Sequence, residues 1–430
     1  MVKSLAAAGV AVCFSAIVHA QDSRTIAEPR VPVVCRTVVA RLVPVDGGVA
    51  AADEGKLDTA RIQAAIDACR PGSAVELRAD GRRTIFLSGP IHLKRGTTLV
   101  IAAGVTLFAS RNPRDFDVSP ASCGIVDDNG RGCRPLIRVA EDGAAVMGDG
   151  VIDGRGGSAL IGSRESWWDL AEDARKAGHQ NCPRLIVADH ANDFTLYRIT
   201  LKNSPNFHVV FSGGRGFTAW GVVIDTPKTA RNTDGIDPIS ATDVSIVHSS
   251  IHTGDDDVAV KAGSLGPASN VTVAHNHFFT GHGMSIGSET DGGVRHVRVL
   301  DLSIDGADNG LRIKSNSTRG GVVDNVAYED VCIRATKNPI VLDTTYSSPD
   351  SSGEGAKIPV YTNIAYRNVR IEGPGNLQLE GHDPGHRLRI SFTDAHATSD
   401  VKTRSKEVDV TGAIAMDGSL WGCRWPTYRR

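Results

Sequence analysis

Val244-Ser-Ile-Val-His-Ser-Ser-Ile251, Val271-Thr-Val-Ala-His-Asn-His-Phe278 and Val297-Arg-Val-Leu-Asp-Leu-Ser-Ile304 are three versions of one eight-residue phrase. Earlier copies start at Phe194 and Phe217, later ones at Val326 and Ile364. The starts are 23, 27, 27, 26, 29 and 38 residues apart. A period in the twenties, built from short β-branched runs, predicts a solenoid with two or three strands per turn. Leucine-rich repeats share that period but need leucines at fixed offsets, and these are missing. The expected fold is therefore all-β, a right-handed single-stranded parallel β-helix, its hand following the general crossover preference. Each coil should stack on the next at about 4.8 Å.

The flanks agree. Leu57, Ala60, Ile62, Ala65, Ile66 and Cys69 mark an amphipathic helix with Asp58 as its N-cap, after an irregular stretch over 21–56. Short β runs follow at Ala74–Leu77, Thr84–Leu87, Thr97–Ile101 and Val105–Phe108. One helix ahead of many strands reads as an N-terminal cap over the open end of the stack. The excursions Ser158–Gln180 and Tyr346–Lys357 read as loops, with Trp167-Trp168 as loop packing, and the tail with Trp421, Cys423 and Trp425 as closing the far end. No linker divides the chain, so residues 21–430 read as one domain behind a leader at 1–20.

That leader has Lys3, an apolar run from Leu5 to Val18 and a Val18-His19-Ala20 cleavage site. The run is shorter than the roughly 20 residues a membrane span needs. Secretion without a membrane anchor is expected. Cleavage near Ala20 removes Cys13 and leaves seven cysteines, of which Cys123–Cys133 and Cys35–Cys69 are the expected pairs. Cys332, in an apolar strand, is expected only to pack. A formal charge of −2 gives no electrostatic case for nucleic acid or an anionic membrane. No Cys/His spacing suggests zinc.

Between Arg231 and Lys314 the repeat carries four polar motifs: Asn232-Thr233-Asp234, Gly254-Asp255-Asp256, Gly281-His282-Gly283 and Arg312-Ile313-Lys314. Aligning Ile236, Val258, Met284 and Leu311 puts Asp234, Asp256, His282 and Asn309 in one column, two residues ahead of each. Asp255 lies beside Asp256 at the bend. Strand alternation turns Arg312 and Lys314 outward, puts Lys261 in the same register, and turns Asp257 outward beside the acid pair. Crowded carboxylates raise at least one pKa, leaving an acid beside ionised neighbours. Nearby cations suit an anionic substrate, and the set fits hydrolysis of an acidic sugar chain.

These motifs, in this order and spacing, resemble those of the polygalacturonases, pectin-degrading glycoside hydrolases with a right-handed parallel β-helix. The flanks Asn203–His208 and Gly283–Thr290 are similar to those of bacterial endopolygalacturonases, and the likeness covers roughly 148–346. The resemblance implies inverting hydrolysis, without metal or cofactor, of α-1,4-galacturonosyl bonds of pectin or polygalacturonate, endo-acting on the strength of those flanks; a monomer is expected. It makes Asp255 the general acid, Asp234 and Asp256 the activators of water, and His282 the residue that maintains the acid's protonation. Arg312 and Lys314 would bind the galacturonate carboxylate, with Tyr346 against the sugar. Asp257 departs from the family pattern of Cys, Asn or Ser and would push the pH optimum upward.

Blander readings compete with these. Isolated aspartates favour turns, Arg312 and Lys314 could solubilise an outer face, and His248, His252, His275 and His277 read as outward turn or strand residues. Asn203 reads as part of a polar ladder. An exo-acting enzyme, a calcium-dependent pectate lyase using Asp255, Asp256 and Asp257 as oxygen ligands, and a non-catalytic wall-binding solenoid are the alternatives. Only the last has no reason to focus charges on adjacent coils.

Overall fold

A computed structural model describes residues 21–176, 178–347 and 355–426; the leader read at 1–20 lies outside them. The repeated phrase pairs with itself. Thr195 lies beside Thr218, Phe217 beside Val244, Val244 beside Val271, Val271 beside Val297, Val297 beside Val326 and Val326 beside Ile364, always in parallel. The chain is a parallel β-helix. Its first and third repeat positions point inward, and one continuous apolar core runs from Val38 to Val401. Within it Phe194, Phe217 and Phe211 stack, as do Tyr328, Tyr366 and Phe392.

The fifth residue of each phrase turns the corner between two strands. Arg198, Gly221, His248, His275, Asp301, Asp330 and Asn368 all have φ between 50° and 65° there. Asn, Asp, His and Gly tolerate this left-handed conformation best. This gives His248 and His275 their place: their rings stack, 5.0 Å apart, on the outside of successive coils.

A second, eleven-stranded parallel sheet carries the four motifs. It runs from Ile91–Leu93 through Ile236–Ile239, Val258–Val260, Met284–Ile286 and Asn309–Lys314 to an edge at Val401–Lys406. That edge exposes Lys402, Arg404 and Lys406, charges that discourage further strand addition. At the opposite end the helix Thr59–Asp67 buries Ile62 and Ile66 completely, each contributing roughly 1.5–3 kcal/mol. A Cys35–Cys69 disulfide ties it to the first strand.

Several expectations need correction. Val34–Val39 is a strand, paired with Ser73–Arg78, inside the stretch read as irregular. Asp58 occupies the N-cap position but caps nothing with its side chain, because Arg61 takes its carboxylate. The Ser158–Gln180 excursion holds a helix, Trp167–Ala174, closed at its start by reciprocal bonds between Ser166 and Asp169. Trp167 packs inside, while the Trp168 indole N–H donates to the Ser204 carbonyl at 2.9 Å. Cys123–Cys133 forms as expected, but Cys332 also pairs, with Cys423. The tail therefore folds back along the side of earlier coils. Cys182, buried, is the remaining thiol among the described residues.

The first described residues form an arm across the coils. Ser245 Oγ donates to Asp22, whose own N–H donates to Thr272 Oγ1. Ser23 bonds Asp243, Arg24 reaches the Phe217 carbonyl, and the Tyr197 hydroxyl donates to Glu28 at 2.6 Å.

Candidate active site

The column exists. Ile236 pairs with Val258, Val258 with Met284 and Met284 with Leu311, so the polar residues ahead of them converge on one end of the second sheet. Between those inward residues Asp237, Ser285 and Arg312 face outward. Glycines let the bends approach each other. A Cβ on Gly254 would lie 2.1 Å from the Ala230 carbonyl oxygen, and one on Gly283, at φ +66°, 2.2 Å from that of Gly310. Neither position admits a side chain, which accounts for glycines flanking His282 and preceding Asp255.

Asp256 is buried and tightly held. Its Oδ1 accepts from Ser285 Oγ (2.8 Å) and from the Arg312 guanidinium, and its Oδ2 from Lys314 Nζ at 2.9 Å. Burial alone would raise its pKa. The charges of Arg312, Lys314 and His282 outweigh burial and hold it far below the usual carboxylate range. Asp256 is an anion at any working pH.

Asp255 Oδ1 accepts from His282 Nδ1 at 3.0 Å and from the Asp256 amide at 2.9 Å. Burial pushes this carboxyl up, but the hydrogen bond and charge of His282 hold it below its ordinary value. Mostly buried but reaching the groove, Asp255 and His282 share one hydrogen bond across neighbouring coils.

Lys261 bridges a second acid pair, with Nζ 3.2 Å from Asp234 Oδ2 and 2.5 Å from Asp237 Oδ2. Burial and the Asp237 charge push Asp234 well up, against the pull of Lys261. Burial likewise takes Asp237 to about 6. The Oδ1 atoms of both acids are buried without a hydrogen-bond partner among the described residues. Behind them, His208 Nδ1–H donates to the Asp234 carbonyl (3.0 Å), and its Nε2 meets Thr226 Oγ1 at 2.8 Å. Burial drops the His208 pKa to about 4, so it is a neutral buttress.

The motif residues thus come together: Asp234, Asp255, Asp256, His282, Lys314 and Tyr346 line one cavity of about 630 Å³, with Lys261. Tyr346 presents its ring to Lys314, whose Nζ is 5.2 Å from the centroid. Arg312 and Lys314 do point outward, but both are buried against Asp256 rather than solvated. Asp257 does not face out. It is fully buried beneath the acid pair, its Oδ2 accepting from the Gly283 amide (3.1 Å) and its Oδ1 3.1 Å from Thr253 Oγ1. The bend breaks the alternation on which the outward reading rested. Asn203 is a ladder residue, bonded to Asp153 at 3.0 Å. The sequence reading missed Asp237, Ser285 and His208, although alternation between Ile236 and Pro238 already turned Asp237 outward.

Donor atoms of Asp255, Asp256 and His282 lie within 4.8 Å of one another, close enough to suggest a cation. The chemistry of the set argues otherwise. Both oxygens of Asp256 already meet Arg312 and Lys314, two positive charges that repel a metal ion, and Asp257 is turned away.

The sequence profile described as "Glycosyl hydrolases family 28" matches residues 88–415. The chain belongs to that family. It is 44% identical to an endo-polygalacturonase of Pectobacterium parmentieri over 405 residues, 94% of this chain and 96% of the relative. A polygalacturonase of Ralstonia nicotianae is 41% identical, over 92% of this chain and 80% of that protein. Among solved structures, a polygalacturonase from Erwinia carotovora superposes with a TM-score of 0.85 at 43% identity, covering 91% of this chain and all of that one. As a family 28 chain it is a glycoside hydrolase.

Proposed function

We propose that the protein is a secreted polygalacturonase that cuts α-1,4-galacturonosyl bonds within polygalacturonate, with inversion at the anomeric carbon. One observation carries the reading: a fixed anion, Asp256, clamped by Arg312 and Lys314, stands beside an Asp255–His282 pair on the floor of an open groove. Asp255 is the general acid, giving its proton to the glycosidic oxygen as the bond to the anomeric carbon breaks. Asp256 and Asp234 activate the water whose oxygen attacks that carbon from the opposite face: the fixed anion Asp256 orients it and ionised Asp234 accepts its proton. Before substrate binds, His282 favours ionised Asp255. A bound galacturonate carboxylate beside Lys314 offsets the local positive charge and favours the protonated acid. Arg312, Lys314 and Tyr346 hold that sugar. Endo action is supported by the endo-polygalacturonase relatives, and secretion by the leader and three disulfides.

The test is a time course on polygalacturonic acid with chelator present. Viscosity should fall fast while few reducing ends appear and ultraviolet absorbance stays flat. Slow viscosity loss with monomer or dimer accumulating would make the enzyme exo-acting. Activity that needs calcium and raises absorbance would make it a lyase. Asp255→Asn should abolish turnover and leave the melting curve unchanged; near-normal activity would remove Asp255 from the acid role.

A further inference from the structure

A second cavity, of about 780 Å³, lies on the other sheet, under the returning C-terminal tail. Its floor is a row of outward residues in register, His277, Ser303, Cys332 and Arg370. One wall is the ladder of left-handed turn residues His275, Asp301, Asp330 and Asn368. The roof is Trp421–Pro426, clamped to the floor by the Cys332–Cys423 disulfide.

This pocket has unmet recognition capacity. Arg370 is only 5% exposed, and two of its nitrogens bond Asp394, yet its Nε has no partner among the described residues. A buried guanidinium donor left unmet costs about 1–3 kcal/mol unless something fills it. Arg424 adds a second cation to the lining. The acids there are already engaged, Asp301 by His275 at 2.8 Å and Asp330 by Asn368 at 2.5 Å. Trp421 stands at the mouth with 85% of its surface exposed, while Trp425 is covered by the Arg334 guanidinium, 4.4 Å from its ring. An exposed indole face beside the buried Arg370 and the exposed Arg424 is the equipment for a carboxylated sugar ring: apolar C–H face on the indole, carboxylate on the arginines.

We propose that this cavity is a second binding site for uronate residues of a polysaccharide chain, separate from the catalytic groove. It rests on the polygalacturonate reading above. Its size lies within the roughly 300–1,000 Å³ of small-ligand pockets. A protein gripping the polymer at two places gains effective concentration at the groove without altering the chemistry there. The site therefore acts on long or insoluble substrate and is silent on a short oligomer.

The test compares wild type with the Trp421→Ala/Arg424→Gln double variant, which leaves Arg370 and the disulfide in place. Partition on to immobilised polygalacturonate is measured on ice within minutes, beside hydrolysis of a soluble galacturonate hexamer. The variant should keep hexamer kcat/KM within about two-fold while its partition falls about ten-fold, the value of one aromatic contact and one charge. Wild type should partition poorly on to the fully methyl-esterified polymer. Unchanged partition of the variant, or equal partition on to the methyl ester, overturns the second site while hexamer hydrolysis still stands. A wild type that leaves the hexamer intact overturns the substrate reading, and the ligand class with it.

Discussion

Lys261 and Asp237 act on Asp234 with opposite signs, and that opposition can be read in a pH–rate profile. If ionised Asp234 helps activate water, the acid limb of kcat/KM follows its titration. Lys261→Met removes the cation 3.2 Å from Asp234 and raises the pKa of that acid further. The limb should move to higher pH by about one to three units, the usual effect of one close opposite charge. Asp237→Asn removes a like charge that raises Asp234, so the limb should move down, by about one unit. Stability gives an independent check. Asp237 rises from 3.8 to about 6 on burial, so the folded protein binds the extra proton and stability falls as pH climbs through that window. The loss amounts to about 3 kcal/mol above pH 6, and Asp237→Asn should recover part of it. Its melting temperature should therefore gain on wild type between pH 4 and pH 7. The assay is the rate profile on a soluble oligomer, with melting curves at each pH. Two shifts in the same direction, or a Lys261→Met profile superimposed on wild type, would refute a base role for Asp234.

Other outcomes follow from the same geometry. Burial pushes the Asp257 carboxyl well above the usual range, against the hydrogen bonds from Thr253 and the Gly283 amide. Its Oδ1 accepts from Thr253 Oγ1 at 3.1 Å, and the same hydroxyl lies 2.7 Å from the Asp255 carbonyl. Asn keeps an acceptor there and cannot ionise, so Asp257→Asn should keep the pH optimum and flatten the loss of melting temperature toward alkaline pH; a displaced optimum would restore Asp257 to the site. The Cys332→Ser/Cys423→Ser pair opens a link across 91 residues. It should lower the unfolding free energy by about 2–5 kcal/mol, seen in denaturant titration, with hexamer hydrolysis unchanged.

The coil repeat was legible because burial on a stacked strand demands apolar residues at fixed offsets, and every aligned start from Phe217 to Ile364 pairs as read. The column of Asp234, Asp256 and His282 was legible for the same reason: a two-residue offset repeated on adjacent coils is a position in space. Asp257 was misread because alternation holds along a strand and fails at the bend before it. Asp237 sat outside any motif, and its pairing with Lys261 joins residues 24 apart. The helix at Trp167–Ala174 had a capping signal, Ser166 three residues before Asp169, hidden inside an otherwise irregular loop. The Cys332–Cys423 link depends on the tail reversing direction, which no local pattern encodes.

The arm from Asp22 to Glu28 carries a consequence for how the molecule is assembled. Its partners lie far along the chain: 169 residues on for Glu28 and Tyr197, 250 for Asp22 and Thr272. A solenoid can wind coil upon neighbouring coil as it emerges, each step needing only the one before. The arm cannot join in until the coils through Thr272 are in place, because its docking surface does not exist earlier. The arm, ahead of every coil in sequence, is then seated only after coils far down the chain, and fastening it records that the middle of the stack has been wound in register.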